Sequence, residues 1–396
     1  MSGNQLFVDT YWRSLNKTGE ELCGDRVQVR RGEDCVVLVL ADGLGSGVKA
    51  NILSTLTSTI IAEMIVQGMS LTESVDTIIK TLPVCRERGI AYSTFTILQI
   101  YYDGRAFIAE FDNPAVVCMH DGRVFHPDRL ERDIQGRRVF LSALDAVEGD
   151  RFVAFSDGVL HAGVGMMLNF GWDQKDVEKF LEEHVRPTDP PAEISRILLA
   201  NVNYLYEGKP QDDSTVACIN VEAALETRVM VGPPLNREED VLVVNRLMAA
   251  TGKKICCGGT TSEIVARQLH TEVKTDPVDL MNLDAHVPPK GYIEGVDLVT
   301  EGVLTLQKAA RYIARAASDA SYMEFFLLTK ETDGAALLAK TLLTSRWIRF
   351  LVGTSDNPAH NAINYSPISL NAKISLIREM CEDLKKTGRI VHIEMY

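Results

Sequence analysis

The stretch Ala41-Asp42-Gly43-Leu44-Gly45-Ser46-Gly47 constrains this chain more than any other. The run before it, Cys-Val-Val-Leu-Val-Leu at 35–40, is apolar without a break and reads as a buried strand. After it, Ile52, Leu56, Ile60, Ile61, Met64 and Ile65 recur at helical spacing and predict a helix over 48–68. The segment is therefore a strand end, a glycine turn and a helix start, with a carboxylate at the strand tip. A dinucleotide cradle at such a junction needs G-x-G-x-x-G. Here Val48 stands where the third glycine belongs, and Asp42 would repel a pyrophosphate. A metal site is the other use, with Asp42 and the Gly43 carbonyl as hard oxygen ligands. A plain turn with Asp42 as cap stays open at this point.

The residues just upstream sharpen the choice. Val27 and Val29 alternate over 26–31, Gly32-Glu33-Asp34 breaks the run, and 35–41 returns, which predicts a β-hairpin. Pairing about Glu33-Asp34 sets Asp25 opposite Asp42. Two carboxylates at one end of a hairpin repel unless a cation lies between them.

Further along, a helix is predicted over 71–82, stopped by Pro83, and a strand over 92–102. Turns at Asp103-Gly104 and Asp121-Gly122 join strands at 106–111 and 114–120, and 139–143 pairs nearby, so the pattern is an antiparallel meander. The strand 151–156 ends in Asp157-Gly158, repeating the Asp42-Gly43 pattern. Helices over 172–184 and 192–206 follow. Asp212 and Asp213 then precede a strand at 216–221. Asp25, Asp42, Asp157 and the Asp212-Asp213 pair thus stand at strand ends, all read as parts of one meander. No Ser/His/Asp pattern accompanies them. An oxygen-only set suits Mg²⁺ or Mn²⁺ rather than zinc, and two such ions activate water for in-line attack on phosphorus.

Charge and composition agree with such a reading. The formal net charge of -13 argues against a nucleic-acid partner and against an anionic membrane surface. No apolar run approaches the roughly 18 residues of a membrane span, and the N-terminus lacks the apolar core of a signal peptide. The eight cysteines form no C-x-x-C pair, as expected of free thiols in a reducing cytoplasm. A cytoplasmic protein is expected.

Four motifs together resemble the metal-dependent protein phosphatases, in the bacterial branch typified by stage II sporulation protein E. They are Gly24-Asp25, Ala41-Asp42-Gly43 with the glycines to Gly47, Glu148-Gly149-Asp150 ahead of Phe155-Ser156-Asp157-Gly158-Val159, and Asp212-Asp213-Ser214-Thr215-Val216. Their order and spacing fit over residues 1 to about 222. The resemblance implies a phosphatase domain at 1–224 with an α-β-β-α sandwich, two mainly antiparallel sheets flanked by helices. It implies hydrolysis of phosphoserine or phosphothreonine in a regulatory phosphoprotein, such as an anti-sigma-factor antagonist. It further implies two Mn²⁺ or Mg²⁺ ions per site. Asp42 would bridge both, Asp25 and the Gly43 carbonyl would serve one, and Asp157 and Asp212 the other, with Asp213 supporting. The nucleophile would be the water between the ions. Helices over 48–82 resemble the family's switch element.

Two places depart from the family. Phe111-Asp112-Asn113-Pro114-Ala115 stands where many relatives carry Asn-Ala-Gly-His, and His161 stands where Glu is frequent. Both read as outer-sphere or substrate-side differences. A catalytically weak, phosphatase-like docking module remains the alternative function, and a homodimer is left open.

From about residue 228 strands and helices alternate, predicting a smaller α/β domain over 228–396 with a parallel or mixed sheet. Strands are read at 228–232, 254–257, 295–300, 347–353 and 390–394, and helices over 238–251, 263–270, 301–317 and 368–386. Gly258, Gly259, Thr260, Thr261 and Ser262 open the second of these helices, a place where an anion could bind. A tight turn with a Thr or Ser cap is the other reading, since the G-K-[ST] ending of a phosphate loop is missing. A regulatory or ligand-binding role is expected of this part.

Overall fold

An unbroken apolar strand needs cover on both faces, and the strand 35–43 obtains it. The computed structural model describes residues 6–81, 93–169, 171–275, 291–331, 333–355 and 369–396. The chain divides into two compact units, Met1–Ala223 and Ala224–Tyr396.

The first unit holds β1 (Leu6–Leu15), β2 (Asp25–Arg31), β3 (Cys35–Gly43), β4 (Ser93–Tyr101), β5 (Arg105–Phe111), β6 (Val117–His120), β7 (Arg123–Phe125), β8 (Leu130–Ile134), β9 (Arg137–Asp145), β10 (Asp150–Phe155) and β11 (Ser214–Ala223). They form two antiparallel sheets, ordered β2-β3-β4-β5-β9-β8 and β1-β11-β10-β6-β7. Its helices are α1 (Gly47–Val66), α2 (Leu71–Thr81), the single turn α3 (Asp157–Leu160), α4 (Gln174–His184) and α5 (Pro191–Leu205). On the first sheet Val37, Val39, Phe95 and Ile97 pack with Ile61 and Ile65 of α1 and with Val75 and Ile79 of α2. On the second, Phe155, Val216 and Cys218 pack with Val177 and Leu181 of α4 and with Ile194 and Leu198 of α5. Val36, Leu38 and Leu40 point to the opposite face of β3 and are fully buried too. The result is an α-β-β-α sandwich.

Two sequence expectations change here. The carboxylate-bearing strands do not form one meander: β2 and β3 lie in one sheet, β10 and β11 in the other. A strand's apolar alternation does not say which sheet it joins, because both sheets bury both faces. The helix α1 also turns unexpectedly. Its buried face carries Ala50, Ser54, Thr57 and Ser58 along with Ile61 and Ile65, while Ile52, Leu56 and Ile60 are exposed. Close approach explains this: a Cβ added to Gly43 would stand 2.1 Å from the Ala50 carbonyl oxygen. Only small residues allow the helix so near the strand end.

The second unit carries β12 (Glu226–Val231), α6 (Asp240–Met248), β13 (Lys254–Cys257), α7 (Gly259–Gln268), β14 (Lys274–Thr275), β15 (Gly291–Tyr292), β16 (Leu298–Thr300), β17 (Trp347–Val352) and β18 (Ile390–Met395), with further helices at Val303–Ser318, Ala320–Leu328, Gly334–Thr344 and Leu370–Lys386. The sheet order is β14-β15-β16-β13-β12-β17-β18. The five strands from β16 to β18 in that order pair in parallel, and β14 and β15 add an antiparallel edge. Numbered by their order in the chain, the parallel strands run 3-2-1-4-5, a doubly wound arrangement. Helices cover both faces: Val243, Leu247 and Val265 pack on Met230 and Cys256, while Leu306, Leu338 and Ile377 pack on Val229 and Phe350.

The alternation predicted for this unit is present, with shifted ends. The strand expected over 295–300 shrinks to Leu298–Thr300, and α7 begins at Gly259 rather than at 263. Helices Ala320–Leu328 and Gly334–Thr344 and strands β7, β8, β14 and β15 went unread. Leu82, Pro83, Tyr92 and Ile368 lie outside the described residues. Among the described residues no helix is long and apolar enough to cross a membrane.

Candidate functional site

The hairpin β2–β3 pairs Asp25 directly with Asp42, the register expected from the turn. Asp25 is buried, and the Ser156 hydroxyl donates to its Oδ2 at 2.7 Å. Ser156 stands at the N-cap of α3, yet its side chain does not cap the helix. It instead accepts the Thr215 N–H at 2.9 Å, so one hydroxyl ties the end of β10 to both β11 and Asp25. The end of one sheet is thereby fixed against the end of the other.

Electrostatics record how the carboxylates converge. Burial is the main force raising the Asp42 carboxyl above its ordinary value, and Asp25, Asp157 and Asp212 add repulsion in that order. Asp25 is raised chiefly by burial and further by Asp213 and Asp157, against the hydrogen bonds from Ser156 and Thr215. Asp212 is raised by burial and then Asp157, while Lys17 and the Asp213 N–H oppose the shift. Four strand-end positions that are far apart in sequence thus act on one another.

The pair at 212 and 213 divides its labour. Asp213 is buried; its Oδ1 accepts the Lys17 N–H at 2.9 Å and its Oδ2 the Gly24 N–H at 2.8 Å. Both oxygens thereby hold the segment that leads into Asp25. Asp212 keeps a half-exposed carboxylate that faces Asp157 and His161. His161 Nδ1 lies 3.9 Å from Asp157 Oδ2 and 4.0 Å from Asp212 Oδ2. Among the described residues these three form the group close enough to share one ion, with ligand atoms all within 4.8 Å. From sequence alone His161 reads as an outer-sphere or substrate-side difference. Its position four residues after Asp157, on a one-turn helix, was the signal that places both side chains on one face.

The glycines make this packing feasible. A Cβ on Gly158 would stand 2.0 Å from the Asp213 carbonyl oxygen. The Gly158 carbonyl accepts the Tyr206 hydroxyl at 2.7 Å, which anchors α3 from behind. Cys23 lies nearby, but burial, with Asp25 and Asp213, pushes its thiol up to about 12, so it is no thiolate nucleophile.

A divalent cation fits this donor set. The carboxylates are hard oxygen ligands, they repel one another, and Lys17 is the cation that opposes the shift at Asp212. Asn113, at the family's variable stretch, donates to Thr96 Oγ1 at 2.9 Å.

The glycine turn of the second unit is built differently. Gly258 takes φ of 113°, which favours glycine, ahead of α7. Thr261 Oγ1 accepts the Gly232 N–H at 3.0 Å, and Ser262 Oγ donates to the Gly258 carbonyl at 2.9 Å. Both residues are buried. Gly259 begins the helix and Thr260 lies in its first turn.

Comparison with known proteins follows the same division. The family model described as stage II sporulation protein E (SpoIIE) matches residues 32–222. Comparison with curated protein sequences gives no match. Among solved structures, the PP2C phosphatase domain with a fragment of the regulatory domain of SpoIIE from Bacillus subtilis is 18% identical, with TM-score 0.48 over 56% of this chain and 63% of that one. The chain therefore spans less than two thirds of that relative's length. RsbX in complex with magnesium is 19% identical, with TM-score 0.41 over 54% of this chain and 96% of that one. The SiaA PP2C domain of Pseudomonas aeruginosa is 19% identical, with TM-score 0.42 over 53% of this chain and 85% of that one. Residues 32–222 thus match the SpoIIE family model, and the two-sheet sandwich and the ordered motifs lie in that same part of the chain.

Proposed function

We propose that the first unit is a protein serine/threonine phosphatase that hydrolyses phosphoserine or phosphothreonine in a regulatory phosphoprotein, of the kind exemplified by an anti-sigma-factor antagonist. One observation carries the proposal: carboxylates from the ends of two sheets meet at one place, with Asp25 opposite Asp42. Asp42, Asp25 and the Gly43 carbonyl would hold one Mn²⁺ or Mg²⁺, and Asp157 and Asp212 a second, with Asp42 reaching both. When bound, the ions would lower the pKa of a water and offset charge on the phosphoryl oxygens. The chain's own share is positioning. Ser156 holds Asp25 by a hydrogen bond, Asp213 fixes the segment before it, and Gly43 and Gly158 let α1 and β11 close behind the carboxylates. This preorganises charge before substrate arrives, which is where most of such a rate gain originates.

The test is hydrolysis of a phosphoserine peptide by the full chain with Mn²⁺, with Mg²⁺ and with excess chelator. Turnover that needs metal and stops with chelator is expected. Hydrolysis that resists the chelator would sink the mechanism, and metal binding without turnover would leave the docking-module alternative.

The second unit, by the same proposal, regulates the first by binding a small anionic ligand or a partner protein. Its doubly wound strand order supports this, because such sheets form a crevice where the order reverses, here between β12 and β17. An effector acts only through unequal affinity for two states. Turnover of the full chain, with metal in excess, is expected to change with at least one compound from a panel of nucleotides and phosphometabolites, or with a protein partner. Constant turnover throughout would remove the role.

A further inference from the structure

We propose that His161 is a direct nitrogen ligand of the ion held by Asp157 and Asp212, and that it tilts this site from Mg²⁺ toward Mn²⁺ and later transition metals. The inference rests on reading the carboxylate cluster as a divalent-metal centre.

Three observations carry it. His161 Nδ1 stands 3.9 Å from one carboxylate oxygen and 4.0 Å from the other. Those separations are too long for hydrogen bonds. They suit ligands of one ion, because bonds of about 2.0–2.3 Å set opposite ligands at most about twice that length apart. Second, the placement is built by the backbone. Asp157 opens α3 and His161 is its C-cap, with the His161 N–H donating to the Asp157 carbonyl at 2.9 Å. Trp172 N–H on the Leu160 carbonyl and Tyr206 on the Gly158 carbonyl hold the same turn from other sides. Third, the side chains of Asp157, His161 and Asp212 are 45%, 56% and 39% exposed, so an ion can reach them without unfolding the turn.

The chemistry follows from ligand type. A carboxylate at this position would leave an all-oxygen site, which suits Mg²⁺. Neutral imidazole is a softer donor and favours transition metals over Mg²⁺. The site therefore becomes selective through one side chain, while Asp25 and Asp42 keep their oxygen-only pair.

The experiment uses the full chain loaded with Mn²⁺ and examined by pulsed electron paramagnetic resonance. Wild type is expected to show modulation from a directly bound imidazole nitrogen. His161→Glu is expected to bind Mn²⁺ without that modulation, and the excess of Mg²⁺ needed to displace Mn²⁺ should fall about tenfold. Mn²⁺ bound to wild type with no nitrogen coupling, or coupling that survives in both His161→Glu and His161→Ala, would overturn the assignment while leaving the metal centre intact. Wild type that binds no Mn²⁺ at all would overturn the underlying reading and this inference together.

Discussion

The two units each contain a strand that runs through glycine into a helix, and they finish that junction in opposite ways. At Asp42-Gly43 the polar groups converge on one another: Asp42 faces Asp25 across the hairpin and feels Asp157 and Asp212. At Gly258-Gly259 the hydroxyls of Thr261 and Ser262 are already engaged, one by the Gly232 N–H and one by the Gly258 carbonyl. At the first junction burial and then mutual repulsion disfavour the charged carboxylates, a cost that a bound cation would offset. The second spends its polarity on holding loops together. A glycine turn at a strand tip therefore says little about chemistry; what matters is whether the nearby polar groups have found partners within the protein.

The strongest way to break this contrast is Asp42→Asn. The variant keeps shape and loses the charge shared by both proposed ions, so turnover on a phosphoserine peptide should fall on the order of 100-fold or more. The same change should make metal-free protein more stable at neutral pH, since it removes a carboxylate that burial, and then its charged neighbours, disfavour. A variant that loses both activity and metal-free stability would point to ordinary folding damage instead.

The pH dependence gives a smaller effect with a definite sign. Asp25 and Asp42 both lie above the ordinary carboxylate value of 3.8 when folded. From about that pH upward the folded chain holds protons that the unfolded chain has released, so their contribution to stability is complete below this range and is lost as pH rises through the folded values. Melting curves of chelated protein from about pH 5 to about pH 8 should show a steeper fall for wild type than for Asp42→Asn. Equal slopes would mean that the two carboxylates do not interact as the register implies.

The smallest effect belongs to the second junction. Thr261→Val removes the acceptor of the Gly232 N–H and should cost about 1 kcal/mol in denaturant unfolding of the full chain. Turnover without effectors should stay within about twofold, because a single contact of this size acts on the stability of its own unit. A loss of turnover comparable to Asp42→Asn would erase the contrast.

Much of the first unit was legible from its residues. The turn at Glu33-Asp34 fixed the distance to Asp25 and Asp42, and hairpin register is set by turn length, so their pairing could be counted off. The split into two sheets could not be derived from alternation, because strands buried on both faces carry no face label. The turned face of α1 was hidden for a related reason. Ile52, Leu56 and Ile60 look like a core stripe until Gly43 and Ala50 demand close approach. His161 was visible as a residue, but not as a neighbour of Asp212, since nothing local in sequence joins positions 161 and 212. In the second unit short strands such as β14 and β15 fall below the length at which periodicity can be read.

The hold that Asp213 keeps on Lys17 and Gly24 bears on where this domain can be cut. The family match begins at residue 32, after β1, after that held segment and after Asp25 itself. A fragment trimmed to the matched stretch would lose one of the carboxylates and the backbone groups that satisfy Asp213. It would also strip β1 from β11, a pairing that runs from Leu6 opposite Ala223 to Leu15 opposite Ser214. The bared edge of β11 would then be free to recruit a strand from another molecule. Fragments meant to report on this unit need to keep everything from β1 onward, because the stretch before residue 32 carries both Asp25, on β2 of one sheet, and β1, the strand that covers the edge of the other.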